Sequence, residues 1–120
     1  ILVVEDEPAI LTSLEFILTH QGWSIHSVTD GEAALAAIQR TLPRVVILDL
    51  MLPKKNGFEV LKTLRNNPAT NALPVLILTA KGQQQDKQTA LDFGASIFVT
   101  KPYSNSQVIN AVHSLLGDHS

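Results

Sequence analysis

The polar residues of this chain that could do chemistry stand directly after short apolar runs. Glu5 and Asp6 follow the first run, Asp49 ends the third, Thr79 follows the fourth, and Lys101 comes shortly after the fifth. Carboxylates that converge repel one another and raise at least one pKa unless a cation offsets their charge. Oxygen ligands without a neighbouring His or Cys favour a hard ion such as Mg²⁺. The residue types therefore indicate a magnesium site with the hydroxyl of Thr79 and the ammonium group of Lys101 beside it.

Such a set of groups has what phosphoryl transfer to a carboxylate requires. An Asp oxygen attacks phosphorus in line, while a cation, an ammonium and a hydroxyl meet the charge that develops on the equatorial oxygens. The product is an acyl phosphate, a labile mixed anhydride that suits a timed signal. Asp49 is the candidate nucleophile, because a carboxylate at the end of a buried apolar strand costs stability unless something compensates.

Five short apolar runs rich in Val and Ile are predicted to be the strands that position these groups. They cover residues 1–4, 24–28, 45–48, 75–78 and 97–99. Four are continuously apolar, as in parallel sheets covered by helices on both faces, and only the second is typical of an edge strand. Segments with helical spacing between the runs indicate a doubly wound α/β sheet of flavodoxin-like (βα)5 type. The strand order 2-1-3-4-5 places the switch point between strands one and three, which brings Glu5 and Asp6 beside Asp49.

Capping residues predict where two of the helices begin. Thr29 and Glu32 have the spacing of a capping box ahead of an apolar helical stripe, and Ser104 and Gln107 repeat that spacing. Gly117 is predicted to end the last helix, because glycine adopts the left-handed conformation of a C′ residue without strain.

The composition excludes several classes of function. The 120 residues suit one domain, residues 1–120, and the opening at Ile1 instead of Met suggests one module of a longer protein. The chain has no Cys, which excludes disulfides, Cys-ligated metals and thiol catalysis. A net charge of −2 without a basic run argues against direct nucleic-acid binding. No apolar stretch approaches the ~18 residues that span a membrane and no signal peptide is visible, so a cytoplasmic location is expected.

Four short motifs, in this order, resemble the signatures of response-regulator receiver domains, the phospho-acceptor modules of two-component systems and phosphorelays. They are Val3-Val4-Glu5-Asp6-Glu7-Pro8, the run from Ile47 to Pro53 with Gly57 after it, Thr79-Ala80, and Lys101-Pro102-Tyr103. Each motif is short, but each lies at the end of a predicted strand, and the resemblance extends from residue 1 to about residue 117.

The resemblance implies how the metal is held. Asp6 is expected to be a direct ligand of Mg²⁺, with Mn²⁺ as an alternative ion, and Glu5 to act mainly through metal-bound water. Asp49, the expected phospho-acceptor, and the backbone carbonyl of Met51 complete the protein's share of the metal shell. Met51 and Lys81 also correspond to variable positions beside the phosphoryl group, where they tune how fast water hydrolyses it.

The resemblance also implies which residues bind the phosphoryl group and which change conformation in response to it. Thr79 is expected to bond it and to move on phosphorylation, and Lys101 to pair with it. Phe98 occupies the position of the family's aromatic switch and, having no hydroxyl, signals only by changing its burial. The peptide between Lys101 and Pro102 is predicted to be cis, because only an X-Pro bond adopts cis at modest cost and the turn must aim the ammonium back across the strand ends.

Three other functions fit the sequence less well. A hydrolase of the haloacid dehalogenase type needs a second Asp two residues after its nucleophile, where this chain has Met51. A nucleotide or flavin module is disfavoured because no glycine-rich phosphate-binding loop follows any strand. A pseudo-receiver usually lacks the acidic pair, the acceptor or the lysine, all of which this chain retains. The chain is therefore interpreted as a receiver that catalyses its own Mg²⁺-dependent phosphoryl transfer and dephosphorylation and does not act on external substrates.

The resemblance implies two kinds of partner. A histidine kinase or a histidine phosphotransfer protein is expected as the phosphoryl donor, and a second copy is expected at the face formed by the fourth helix, fifth strand and fifth helix. The last helix has no Asp, Glu, Lys or Arg between Pro102 and Gly117. Contacts near Phe98, Tyr103 and this helix are therefore expected to be apolar or neutral polar, and less sensitive to salt than ion pairs.

Overall fold

Strands and helices alternate along the chain. The computed structural model describes residues 1–50, 57–79, 88–89, 91–100 and 103–117. The elements are β1 (Leu2–Val4), α1 (Pro8–His20), β2 (His26–Val28), α2 (Gly31–Thr41), β3 (Val46–Asp49), α3 (Gly57–Arg65), β4 (Val75–Thr79), β5 (Ile97–Thr100) and a C-terminal helix (Asn105–Leu116). Residues 88–89 and 91–92 are also helical, within the segment where a fourth helix is predicted.

The five strands form one parallel sheet in the order β2-β1-β3-β4-β5. The predicted doubly wound α/β fold and its strand order are therefore confirmed. Within the described ranges, no helix combines the length and the apolar character that crossing a membrane requires.

Helices on both faces of the sheet produce two hydrophobic cores. The first includes Leu48 with side chains of α2 and α3, and the second includes Ile47 with side chains of α1 and the C-terminal helix. Ile47 and Leu48 are neighbours on β3 and belong to different cores, because successive side chains of a strand point to opposite faces. Burial on both faces explains why the central strands are continuously apolar.

The strands β2 and β5 form the two edges of the sheet, and only β2 has the polar residues that are typical of an edge strand. β2 lies at one edge and its residues are exposed or half-buried, as its polar residues predict. β5 lies at the other edge, where Ile97 and Phe98 are half-buried. The edge position predicted for residues 24–28 is therefore confirmed. The predicted strand order also places the fifth strand at an edge, but its apolar pattern does not show this, because Ile97 and Phe98 still pack on a core although no strand lies beyond them.

The C-terminal helix begins and ends as predicted. The hydroxyl of Ser104 accepts a hydrogen bond from the Gln107 backbone N–H at 3.2 Å, and Oε1 of Gln107 accepts one from the Ser104 N–H at 2.7 Å. Gly117 follows the helix with φ of 72°, a left-handed conformation that glycine adopts freely.

The predicted capping box of α2 is wrong by one residue. Asp30, and not Thr29, is the N-cap, and its Oδ1 accepts a hydrogen bond from the Ala33 N–H at 2.8 Å. Thr29 directly follows β2, so the chain reaches the start of the helix one residue later. Asp30 therefore accepts from the N–H of Ala33, three residues on, whereas the predicted capping box would have used the N–H of Glu32.

Replacing the cap of α2 tests this assignment. Asp30→Ala is expected to lower the free energy of unfolding by about 1 kcal/mol, because the Ala33 N–H loses its acceptor. Thr29→Ala is the matched control and is expected to have a smaller effect. Urea denaturation of both variants measures the difference, and a larger loss for Thr29→Ala would contradict the assignment.

Arg65 ties the end of α3 to the turn that leads into β5. Its Nε donates to the Gly94 carbonyl oxygen at 2.9 Å and its Nη1 donates to the Thr70 carbonyl oxygen at 3.3 Å. Burial lowers the pKa of the Arg65 guanidinium. Gly94 has φ of 101°, and a Cβ there would lie 2.9 Å from Cγ of Arg65. This contact therefore holds the turn at Gly94 that precedes β5.

Candidate functional site

The predicted acidic residues meet at the carboxyl edge of the sheet. Val4 of β1 pairs with Leu48 of β3, so Glu5 and Asp49 are the next positions along two adjacent parallel strands. Carboxylate oxygens of Glu5, Asp6 and Asp49 all lie within 4.8 Å of one another. The other neighbour of β1 is β2, so the cluster lies at the switch point where the strand order reverses. The structure thus brings together the three carboxylates that the sequence places at these strand ends.

The three carboxylates differ in exposure. Glu5 is 0% and Asp49 4% exposed, whereas Asp6 is open to solvent. Oε2 of Glu5 accepts hydrogen bonds from the backbone N–H groups of Asp6 at 3.0 Å and Glu7 at 3.3 Å. Bonds of this kind to a carboxylate are charge-assisted and strong. Glu5 therefore orders the loop that carries Asp6, a role that the sequence does not reveal.

Gly57 fixes the backbone that follows Asp49. Its N–H donates to the Leu50 carbonyl oxygen at 3.1 Å, and the Leu50 N–H donates to the Leu78 carbonyl oxygen at 3.2 Å. A Cβ on residue 57 would lie 2.7 Å from the Leu50 Cα and 2.8 Å from the Asp49 carbonyl oxygen. Only glycine allows the first turn of α3 to approach Asp49 and Leu50 this closely. The sequence marks Gly57 as part of a motif but not as the residue that permits this contact.

The donor set fits a hard divalent cation. The cluster consists of carboxylate oxygens only, without nitrogen or sulfur ligands. Three such groups within 4.8 Å repel one another, and a cation relieves that repulsion. Mg²⁺ prefers oxygen ligands and is commonly bound through one or two carboxylates while it keeps several waters. The residues present therefore match the ion that the sequence predicts.

The remaining predicted site residues are only partly described. Thr79 ends β4 and pairs with Thr100 of β5. Phe98 pairs with Ile77, is half-buried and packs against the core formed with α2 and α3. Met51, Lys81, Lys101 and Pro102, and with them the predicted cis peptide, lie outside the described residues.

The fold and the acidic cluster together define the class of receiver modules. The family described as response regulator receiver domain matches residues 1–113, and the chain belongs to this family. It is 41% identical over 116 residues to the sensory transduction protein RegX3 of Mycobacterium tuberculosis, an alignment that covers 97% of this chain and 50% of that protein. It is 40% identical to the alkaline phosphatase synthesis transcriptional regulatory protein PhoP of Bacillus subtilis, with 97% and 48% covered. The chain thus spans about half the length of the curated relatives it matches.

Solved structures of receiver domains have the same fold. The receiver domain of NtrX from Brucella abortus superposes with a TM-score of 0.91 at 29% identity, covering 98% of each chain. The signal receiver domain of a signal transduction histidine kinase from Syntrophus aciditrophicus gives a TM-score of 0.90 at 30% identity, covering 97% of this chain and 88% of the other. The protein is therefore the receiver domain of a two-component response regulator.

Proposed function

We propose that this receiver accepts a phosphoryl group on Asp49 from a phosphohistidine and changes conformation to control an output or a partner. The observation that carries the proposal is the convergence of the Glu5, Asp6 and Asp49 carboxylates within 4.8 Å at the switch point of the sheet. The donor is a histidine kinase or a histidine phosphotransfer protein.

Asp49 is the nucleophile of the proposed reaction. One carboxylate oxygen forms a bond to phosphorus while the bond between phosphorus and the donor's imidazole nitrogen breaks, and the electron pair of that bond stays on the imidazole. Attack of water on phosphorus later releases inorganic phosphate and restores the carboxylate. The chain thus catalyses its own phosphorylation and dephosphorylation and is not an enzyme toward external substrates.

Each acidic residue has a distinct role in holding the metal. Asp6, Asp49 and the backbone carbonyl of Met51 are proposed to bind Mg²⁺ or Mn²⁺ directly, and Glu5 to act through water. The ion, when bound, neutralises the negative charge that gathers on the phosphoryl oxygens. The two backbone N–H groups that bond to Glu5 hold the loop so that Asp6 meets Asp49.

Residues around Asp49 are proposed to bind the phosphoryl group, to set its rate of hydrolysis and to change conformation in response to it. Thr79 and Lys101 contact it, and Met51 and Lys81 tune its hydrolysis. Phe98 signals by changing its burial, which is intermediate in this structure and therefore can move in either direction.

Chemical phosphorylation tests the proposed function directly. Acetyl phosphate with Mg²⁺ is expected to add one phosphoryl group to the intact protein, seen by mass spectrometry, and hydroxylamine is expected to remove it because it cleaves acyl phosphates. A hydroxylamine-resistant phosphoryl group, or none in the presence of Mg²⁺, would contradict the proposal.

Metal affinity is expected to depend more on Asp6 than on Glu5. Calorimetric titration with Mg²⁺ should show a loss of about tenfold or more for Asp6→Ala, since a direct ligand is removed, and a smaller loss for Glu5→Ala. The free energy of unfolding should fall in the opposite order, because Glu5 is buried and bonds to two backbone N–H groups. Glu15→Ala, on α1 away from the cluster, is the control. An equal loss of Mg²⁺ affinity in the two variants, or a larger loss in Glu5→Ala, would contradict the assigned roles.

The second proposed partner is another copy of this chain. The proposed interface lies on the face of β5 and the C-terminal helix, near Phe98 and Tyr103. Its exposed helical side chains include Gln107, Asn110 and Ser114, which are neutral, while His113 packs edge-on against Trp23 with ring centroids 4.8 Å apart.

A dimer through this face is expected to be insensitive to salt, because screening weakens exposed ion pairs far more than apolar burial. Sedimentation equilibrium with and without beryllofluoride, across a series of NaCl concentrations, measures it. A beryllofluoride-dependent dimer that dissociates steeply with added salt would contradict the prediction.

We also propose a cytoplasmic location and no direct contact with nucleic acid. The net charge of −2 without a basic run supports the second point. PhoP is named a transcriptional regulatory protein, but this chain spans about half of its length.

A further inference from the structure

The arginines of this receiver lie at the end of the sheet opposite the candidate site. The carboxyl edge holds the three carboxylates of the candidate site. The chain has three arginines, all near the amino edge: Arg40 lies in the last turn of α2, Arg44 precedes β3, and Arg65 ends α3. The connections 19–25 and 41–45, which lie at the same edge, contain no Asp or Glu. The amino edge therefore presents positive charge without nearby compensation from these connections.

Leu42 stands between two of these arginines in an unfavourable conformation. It ends α2 with φ of 45° and ψ of 71°, and it is the non-glycine residue with positive φ in the described part of the chain. This conformation costs an L-residue other than glycine about 1–2 kcal/mol. Its side chain is also 56% exposed, so burial does not offset that strain. The left-handed conformation is that of a residue that ends a helix, and it leaves this leucine exposed at the amino edge.

A groove runs beside Leu42. A cavity of about 280 Å³ is lined by Ile25, His26 and Pro43 among others. A second cavity of about 510 Å³ shares Ser24 with the first and is lined in part by Arg44. Ile1 also lines both cavities. The first cavity therefore borders Thr41 and Pro43, the chain neighbours of the exposed Leu42, and the second extends the groove to the Arg44 guanidinium group.

We propose that this amino-edge surface, made of Arg40, Leu42, Arg44 and the groove beside Pro43, docks an acidic segment of a partner protein. Carboxylates of the segment pair with the two guanidinium groups, which present donors in the fork geometry that carboxylates match. An apolar side chain of the segment enters the groove and packs against Leu42. Because the cluster of Glu5, Asp6 and Asp49 lies at the opposite edge of the sheet, docking does not cover it.

NMR titration of the ¹⁵N-labelled chain with a synthetic peptide of sequence EELFDE tests the proposal. Amide shifts are expected to concentrate at residues 24–26, 40–42 and 44, since Pro43 has no N–H. Leu42→Gly should weaken binding about fivefold or more while leaving the fold at least as stable, since glycine relieves the strained φ. Arg40→Glu combined with Arg44→Glu should abolish binding. Phe16→Ala, which removes a 72% exposed side chain from α1, is the matched control and should bind as the wild type does.

Several results would overturn the proposal. These are the absence of shifts at the amino edge, unchanged affinity in Leu42→Gly, and equal binding of a peptide with Lys in place of its acidic residues. Shifts at this surface caused by phosphatidylglycerol vesicles or by a DNA duplex, and not by the peptide, would assign it to a membrane or to nucleic acid. Self-association that Leu42→Gly abolishes would assign it to a second copy. Leu42→Gly should retain the response to beryllofluoride, so docking and phosphorylation are tested separately.

Discussion

Asp49→Asn is expected to abolish phosphorylation and, at the same time, to stabilise the metal-free protein. The first effect follows because an amide is not a nucleophile toward phosphorus under these conditions. The second follows because Asp49 is 4% exposed and its carboxylate lies within 4.8 Å of two others. Coulomb repulsion at that distance is about 3 kcal/mol per pair at an effective dielectric constant near 20, so removing one charge should raise the free energy of unfolding by about 1–3 kcal/mol.

Two measurements check this prediction: the free energy of unfolding, which should rise, and the response to beryllofluoride, which should be lost. Urea denaturation in EDTA should show Asp49→Asn to be more stable than the wild type, and NMR spectra with beryllofluoride and Mg²⁺ should change for the wild type alone. Mg²⁺ at ten times its Kd should stabilise the wild type by about 1.4 kcal/mol and the variant by less. Glu32→Gln, which neutralises an exposed carboxylate in the first turn of α2, is the control. It should keep the beryllofluoride response and should not stabilise the protein, because a negative charge there interacts favourably with the helix dipole.

A beryllofluoride response that persists in Asp49→Asn would contradict its assignment as the acceptor. Lower stability of that variant in EDTA would instead show that Asp49 is held by favourable interactions in the metal-free protein, and would refute the repulsion on which the metal site is argued.

Gly57→Ala is expected to damage both stability and the metal site. The new methyl group would lie 2.7 Å from the Leu50 Cα and 2.8 Å from the Asp49 carbonyl oxygen, so backbone atoms must move. Overpacking of this kind costs about 1–3 kcal/mol, which exceeds the ~1 kcal/mol by which Ala favours a helix over Gly. The displaced backbone carries Asp49, the proposed acceptor, and the variant should therefore bind Mg²⁺ more weakly and accept phosphoryl groups more slowly.

Gly22→Ala is the control that separates a loss of stability from a loss of Mg²⁺ affinity. Gly22 has φ of 90° and open space where a Cβ would lie, so alanine there strains the backbone without a clash. Its stability should fall by about 1–2 kcal/mol while its Mg²⁺ affinity stays at the wild-type value. Wild-type Mg²⁺ affinity in Gly57→Ala, or an equal loss in both variants, would show that Gly57 does not position the acceptor.

Much of the fold and the grouping of the acidic cluster could be predicted from the sequence. Continuous apolar runs such as 45–48 predict strands buried on both faces, and helical spacing between them predicts parallel connections. Since the carboxyl ends of parallel strands share one edge, residues that follow the runs must meet there. Glu5, Asp6 and Asp49 do meet, because their positions depend only on strand direction and strand order.

Other features depended on contacts between residues far apart in sequence, which local patterns do not contain. The half-burial of Phe98 reflects the place of β5 at the sheet edge, and the need for glycine at residue 57 reflects how closely α3 approaches the Asp49 carbonyl. The left-handed conformation of Leu42 likewise depends on how α2 must turn to reach β3. Apolar periodicity specifies which residues are buried, but only the packed arrangement of the elements decides which atoms touch and which surface stays open.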